Sequence, residues 1–127
     1  MRVYATRWFE RFARRERIES TVLIEAVERI MSGQVDADLG GEVFKQRIAR
    51  PGAGRSGGYR SIIVVRKGTR AIFVDGFAKS RRDNIGRSDL ERYRLYADEV
   101  LGYDEKQIEH AIEGGVLKEV RDGTDLP

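Results

Sequence analysis

Lys45, Arg47, Arg60 and Lys79 are the residues whose type and spacing are best suited to chemistry. Lys45 and Arg47 lie in the segment 43–49, where apolar and polar residues alternate. Successive side chains of a strand point to opposite faces, so Phe44, Gln46 and Ile48 share one face and Lys45 and Arg47 the other. Arg60 stands at the start of a second strand and Lys79 at the end of a third. In an antiparallel meander the glycine-rich segment 50–58 joins the first strand to the second. Arg47, Arg55 and Arg60 are then expected to be neighbours, and Lys79, two strands along, reaches the same edge. Arg50, Arg55, Arg81 and Arg82 add flanking charge. Cations gathered in one place repel one another, which costs stability and implies an anionic ligand. For any one of these residues a solvated strand end is the simpler reading; for the group, a site is.

The charge distribution points the same way. Residues 1–87 hold 19 Lys/Arg against 10 Asp/Glu, residues 88–127 hold 5 against 11, and the whole chain sums to +3. Residues 43–87 are the steepest, with 12 basic residues facing only Asp75 and Asp83. An asymmetry of this kind fits a polyanionic partner such as nucleic acid. Other chemistries are poorly served. There is no cysteine, so a disulfide framework and a thiolate zinc site are excluded, and a reducing cytoplasmic setting is expected. His110 is the only histidine and falls on an acidic helix far from the basic stretch, so a surface role is the better reading and no Ser-His-Asp triad has support. The acidic residues are explained by caps and solvated helix faces, so no metal site and no cofactor is expected. Gly52-Ala-Gly-Arg-Ser-Gly57 matches a dinucleotide fingerprint, but it lies between two strands and opens no helix. It reads instead as a loop that lets Arg50 and Arg55 reach outward. No apolar run is long enough to cross a bilayer and no signal core follows Arg2, so no membrane partner is expected.

The elements that must position the basic set follow from periodicity. Residues 2–5 read as a short strand. Thr6 can cap a helix with Phe9, Phe12 and Ala13 on one face. Leu23, Ala26, Val27, Ile30 and Met31 define a second helix, ended by Gly33. Residues 34–42 read as a polar connection, residues 50–58 as a loop. Strands are expected at 43–49, 59–66 and 70–78, with Lys67-Gly-Thr69 as a hairpin turn. The last two are apolar on both faces and should be central in the sheet. Lys79 to Arg87 is a polar connection. Ser88-Asp-Leu-Glu91 reads as a capping box opening a helix with Leu90, Tyr93, Ala97, Val100 and Leu101 inward and Gly102 at its end. Asp104 starts a short acidic helix carrying Ile108, Ala111 and Ile112. Residues 116–120 form a last strand or arm, and 121–127 should fray. Nothing alternates strand–helix–strand, and 40% hydrophobic residues in 127 suit one modest core. The expectation is one α+β domain over residues 1–127: an N-terminal helical pair packed on a small antiparallel meander, with C-terminal helices and an extension over 101–127.

Residues 43–87 resemble the RelE/HigB toxins of bacterial toxin–antitoxin pairs. The resemblance is carried by Val43-Phe-Lys-Gln-Arg-Ile48, by Gly57-Gly-Tyr-Arg60 opening an apolar strand, by Phe73-Val-Asp-Gly-Phe-Ala-Lys79 and by Asp83-Asn-Ile85. One subgroup also ends like Ile112-Glu-Gly-Gly-Val-Leu-Lys-Glu-Val120, which extends the resemblance to nearly the whole chain. It implies a microbial-ribonuclease-like fold and a cognate antitoxin of the helix-turn-helix, DNA-binding kind. It also implies cleavage of messenger RNA on the ribosome. The family's basic residues map onto Lys45, Arg47, Arg60 and Lys79, with Arg81 or Arg82 as alternatives to the last. Where some members carry a tyrosine or histidine, this chain has Asn84 and Ile85, so the resemblance brings no conventional general acid.

Metal-free RNA cleavage needs a base for the 2′-hydroxyl, charge stabilisation at the phosphate and an acid for the leaving 5′-oxygen. A lysine among other cations gives up its proton more readily, which makes Lys45 the candidate base. Arg60 would clamp the phosphate, because a guanidinium offers paired donors and stays charged. Lys79 or Arg47 would serve the leaving oxygen, while Arg50 and Arg55 hold flanking phosphates. Two other readings stay open on the same fold: a toxin that inhibits a protein such as DNA gyrase and cuts nothing, and an inactive module that binds RNA or antitoxin.

Overall fold

The computed structural model describes residues 1–50, 54–78 and 85–121, with residues 50 and 54–57 described by backbone alone. The chain starts with β1 (Arg2–Thr6) and turns directly into α1 (Arg7–Arg15). Thr6 makes that turn: its hydroxyl oxygen accepts the Phe9 N–H at 3.2 Å and its O–H donates to the Val74 carbonyl at 2.9 Å. One side chain thus caps the helix and ties it to a neighbouring strand. α1 buries Phe9, Phe12 and Ala13, and α2 (Ser20–Met31) buries Leu23, Ala26, Val27 and Ile30, as the 3.6-residue spacing requires. Gly33, just past α2, takes a left-handed φ of 88° that suits glycine.

The strands β2 (Ala37–Gly40), β3 (Val43–Arg50), β4 (Gly54–Arg66), β5 (Arg70–Ala78) and β6 (Leu117–Val120) join β1 in one open mixed sheet, ordered β2-β3-β4-β5-β1-β6. β2 to β5 form the expected antiparallel meander; β1 runs parallel to β5 and antiparallel to β6. β4 and β5 are central, and Ile62, Ile63, Val64, Ala71, Ile72 and Phe73 are fully buried on alternating sides. The sheet is covered on both faces. α1 and α2 pack with Val3, Ala5, Ile63 and Phe73 on one face. On the other, α3 (Arg87–Leu101) and α4 (Glu105–Glu113) pack with Tyr4, Ile62, Val64 and Ile72. The fold is α+β, as expected, and consistent with a microbial-ribonuclease-like architecture. Burying both faces explains why two strands lack any polar alternation.

Three local expectations are corrected. The polar stretch 34–42 contains β2, an edge strand whose Ala37 and Asp38 pair with Lys45 and Phe44. Its lack of an apolar face reflects its place at the edge. The expected loop 50–58 is mostly strand: β3 runs to Arg50, β4 begins at Gly54, and residues 51–53 lie outside the described residues. Glycines there hid a strand whose pairing comes from its neighbours rather than its propensity. Ser88-Asp-Leu-Glu91 is not a capping box. The chain enters α3 two residues earlier, Gly86 stands at the cap, no side-chain cap is made among the described residues, and Ser88 lies inside the helix. The capping box is at α4, where Asp104 accepts the Gln107 N–H at 2.8 Å and Gln107 accepts the Asp104 N–H at 2.9 Å. The last segment, expected as strand or arm, is the strand β6. Fraying was expected over 121–127, of which residues 122–127 lie outside the described residues.

Candidate active site

Gln46 sets the orientation of the basic residues beside it. It is fully buried and faces α2, so its polar atoms need partners there. Its carbonyl oxygen accepts the Asp36 N–H at 2.9 Å, and its amide donates to the Gln34 carbonyl at 3.0 Å and the Ala26 carbonyl at 3.4 Å. The Ser61 hydroxyl donates to the Gln46 carbonyl at 2.9 Å. A slip of one residue would turn every β3 side chain to the wrong face and strand this amide among apolar groups. With Gln46 held inward, Lys45 and Arg47 must point to the opposite face.

Arg47 on β3 stands directly across from Arg60 on β4. The backbone of Arg47 is used on its other edge: its N–H donates to Asp36 at 2.7 Å and its carbonyl accepts from Arg29 at 2.5 Å. Arg47 and Arg60 therefore form a non-hydrogen-bonded pair, the kind in which Cα atoms approach to about 4.5 Å and side chains are closest. Arg47 is exposed, whereas Arg60 is only 5% exposed, with Phe77 across from it on β5. Its Nη1 is buried and has no hydrogen-bond partner among the described residues. A guanidinium taken out of water beside a second arginine, with a donor left unused, can take an anion as its partner.

The next row of the same face is Lys45, Ile62 and Asp75, paired in that order across β3, β4 and β5. Lys45 is half-buried. Asp75 reaches this row because β5 carries one extra residue at Val74, where the register shifts between Ile62 and Ile63. Without the bulge Asp75 would face the apolar side. Its carboxylate accepts the Tyr93 hydroxyl at 2.9 Å, which ties α3 to the border of the basic face. Sequence reasoning missed both residues at this place. In the sequence Asp75 reads only as one of two acids in a basic stretch, and Tyr93 only as part of an apolar helix face. The signal available was an acid inside an otherwise apolar strand.

Of the expected site residues, the fold brings Lys45, Arg47 and Arg60 together on one face. The Arg50 and Arg55 side chains, and Lys79, Arg81 and Arg82, lie outside the described residues, so their expected approach to this face stands as an expectation. His110 is exposed on α4, away from the basic row. Among the described residues no helix is long and apolar enough to cross a membrane.

The family model of the RelE toxin of the RelE / RelB toxin–antitoxin system matches residues 1–120, from β1 through β6. The chain belongs to the RelE toxin family. RelE membership makes it a toxin of the toxin–antitoxin kind and implies a cognate antitoxin; RelE toxins generally inhibit translation as messenger RNA endoribonucleases. No curated protein matches the chain.

Proposed function

We propose that this RelE-family chain is a metal-independent endoribonuclease that cleaves messenger RNA on the ribosome, in the cytoplasm. Its partner there is a helix-turn-helix antitoxin that holds it in check. The single observation that carries the reading is Arg60: a buried guanidinium with an unpartnered donor, next to Arg47 and one row from Lys45. A phosphodiester supplies the missing acceptor.

In the proposed reaction Lys45 Nζ takes the proton of the 2′-hydroxyl. The 2′-oxygen attacks the adjacent phosphorus, and the bond from phosphorus to the 5′-oxygen breaks. Arg60 binds the non-bridging oxygens, whose charge grows in the transition state, with paired N–H donors. Lys79 protonates the leaving 5′-oxygen, or Arg47 stabilises it by hydrogen bonding while water supplies the proton. The products are a 2′,3′-cyclic phosphate and a 5′-hydroxyl. Arg50, Arg55, Arg81 and Arg82 bind flanking phosphates and ribosomal RNA. A general base or acid in such a role contributes about 10²–10⁴-fold.

The test is induction of the wild type and of Arg60→Ala in a bacterial host, followed by mapping of transcript 5′ ends. The reading predicts new ends within translated frames, absent from a folded variant. Growth arrest without new ends would instead indicate a protein target such as DNA gyrase. The absence of any arrest would indicate an inactive binding module.

A further inference from the structure

Trp8 is the only tryptophan of the chain, and it is 63% exposed at the start of α1. It lies off the face formed by Phe9, Phe12 and Ala13 and plays no part in the core. It lines an open cleft of about 410 Å³ with Val74, Asp75, Arg92, Tyr93 and Tyr96. Asp75 and Tyr93 belong also to the border of the basic face, so the cleft continues that face beyond β5. From Arg60 the path runs across to Phe77, two residues back along β5 to Asp75, and on toward β1. With about 3.3 Å per residue and 4.8 Å between strands, that is roughly 10–15 Å. One or two nucleotides of an extended single strand cover such a distance.

The lining decides what part of a nucleotide fits. Arg92, the one cation among the described lining residues, is already paired with Asp89, so a phosphate entering the cleft would lose water without gaining a free counter-charge. An uncharged planar group with polar edges meets no such penalty. Trp8 supplies a π-face, while Tyr96 and the hydrogen-bonded Tyr93–Asp75 pair add polar groups to the lining. Burial pushes the Tyr96 phenol up to about 12, so it keeps its O–H as a donor at neutral pH. Outside the cleft, Arg7 adjoins Trp8 and Arg11 follows one helical turn on; both are exposed, and no ion pair engages either among the described residues. Cations beside an aromatic plate are the arrangement that single-stranded nucleic acid favours, with backbone on charge and bases on rings.

We propose that the cleft between Trp8 and Tyr96 is a nucleobase-stacking subsite for the RNA strand whose scissile phosphate lies on Arg60. The inference rests on the RNA-cleaving reading and adds to it the residue that grips a neighbouring base. Because every base has a π-face, the subsite contributes affinity and register more than base identity.

The test uses the full chain and a five-nucleotide RNA in which 2′-O-methyl groups block cleavage. Trp8 fluorescence reports stacking directly, and anisotropy of a dye-labelled copy reports binding independently. The expected result is saturable quenching that one abasic position abolishes. Trp8→Leu should weaken binding about 5- to 150-fold, and Trp8→Phe should restore most of it. Trp8 is outside the core, so both variants should keep the wild-type circular dichroism and melting temperature. Binding by anisotropy without quenching, and with Trp8→Leu unchanged, would overturn the subsite and leave the RNA reading standing. Binding by neither signal would overturn the subsite, and the RNA-cleaving reading would then stand or fall on the 5′-end mapping. Unchanged RNA binding with lost antitoxin binding in Trp8→Leu would make the cleft a protein contact and overturn the proposal.

Discussion

Replacing Arg60 by methionine should stabilise the protein while removing its activity. Arg60 is 5% exposed, its Nη1 is buried without a partner among the described residues, and Arg47 stands opposite it on the same face. An unsatisfied buried donor costs about 1–3 kcal/mol, and like charges directly opposite across a strand pair cost up to ~1 kcal/mol more. Methionine keeps an unbranched stem against Phe77 and Ile62 and removes both penalties. The expected gain is about 1–3 kcal/mol, which for a domain of this size raises the melting temperature by roughly 4–12 °C. Thermal unfolding by circular dichroism at low salt measures it. A second arm adds phosphate: a ligand at ten times its dissociation constant stabilises by about 1.4 kcal/mol. Phosphate should therefore raise the wild-type melting temperature and leave Arg60→Met nearly unmoved. A variant that melts several degrees below wild type would show that the guanidinium supports the fold, and would refute the reasoning from an unpartnered cation.

Gln46→Leu should act in the opposite sense. It leaves the Asp36 N–H and the Gln34 carbonyl without their partner, at roughly 1–3 kcal/mol for each group that stays dry; denaturant unfolding should show a lower midpoint with an unchanged slope. Glu42 accepts two bonds from Arg66, at 3.0 and 2.8 Å, and these hold its carboxyl below the usual range. A lowered folded pKa gives stability that is present above the unfolded value near 4.3 and is lost as pH falls through the folded value. Because both side chains are more than a third exposed, Glu42→Gln should cost less than about 1 kcal/mol at pH 7, and the difference should vanish near pH 3.

Much of the fold was legible because two periods dominate it. Phe9, Phe12 and Ala13, and Leu23 to Ile30, repeat at helical spacing, and Phe44, Gln46 and Ile48 alternate against Lys45 and Arg47. β2 was hidden because an edge strand needs no apolar alternation, and the start of β4 because glycines carry no side-chain pattern. The parallel pairing of β1 with β5 joins residues about seventy positions apart, and no local signal encodes it. At the site, Lys45, Arg47 and Arg60 were legible from alternation and meander order. Asp75 was not, because a single bulge at Val74 decides which face it takes, and that is a property of the pairing rather than of the residue. Trp8 was not legible as a site residue, because a single exposed tryptophan outside the apolar stripe of α1 carries no pattern of its own.

The account turns on whether the face formed by Lys45, Arg47 and Arg60 performs phosphoryl transfer. The most direct measurement incubates purified toxin with ribosomes carrying a defined message, without added antitoxin, and identifies the new ends. The account predicts fragments bearing a 2′,3′-cyclic phosphate and a 5′-hydroxyl, with the single-turnover rate falling about 10²-fold or more in Lys45→Ala and in Arg60→Ala. Wild-type rates in both variants, or fragments bearing a 5′-phosphate, would contradict it.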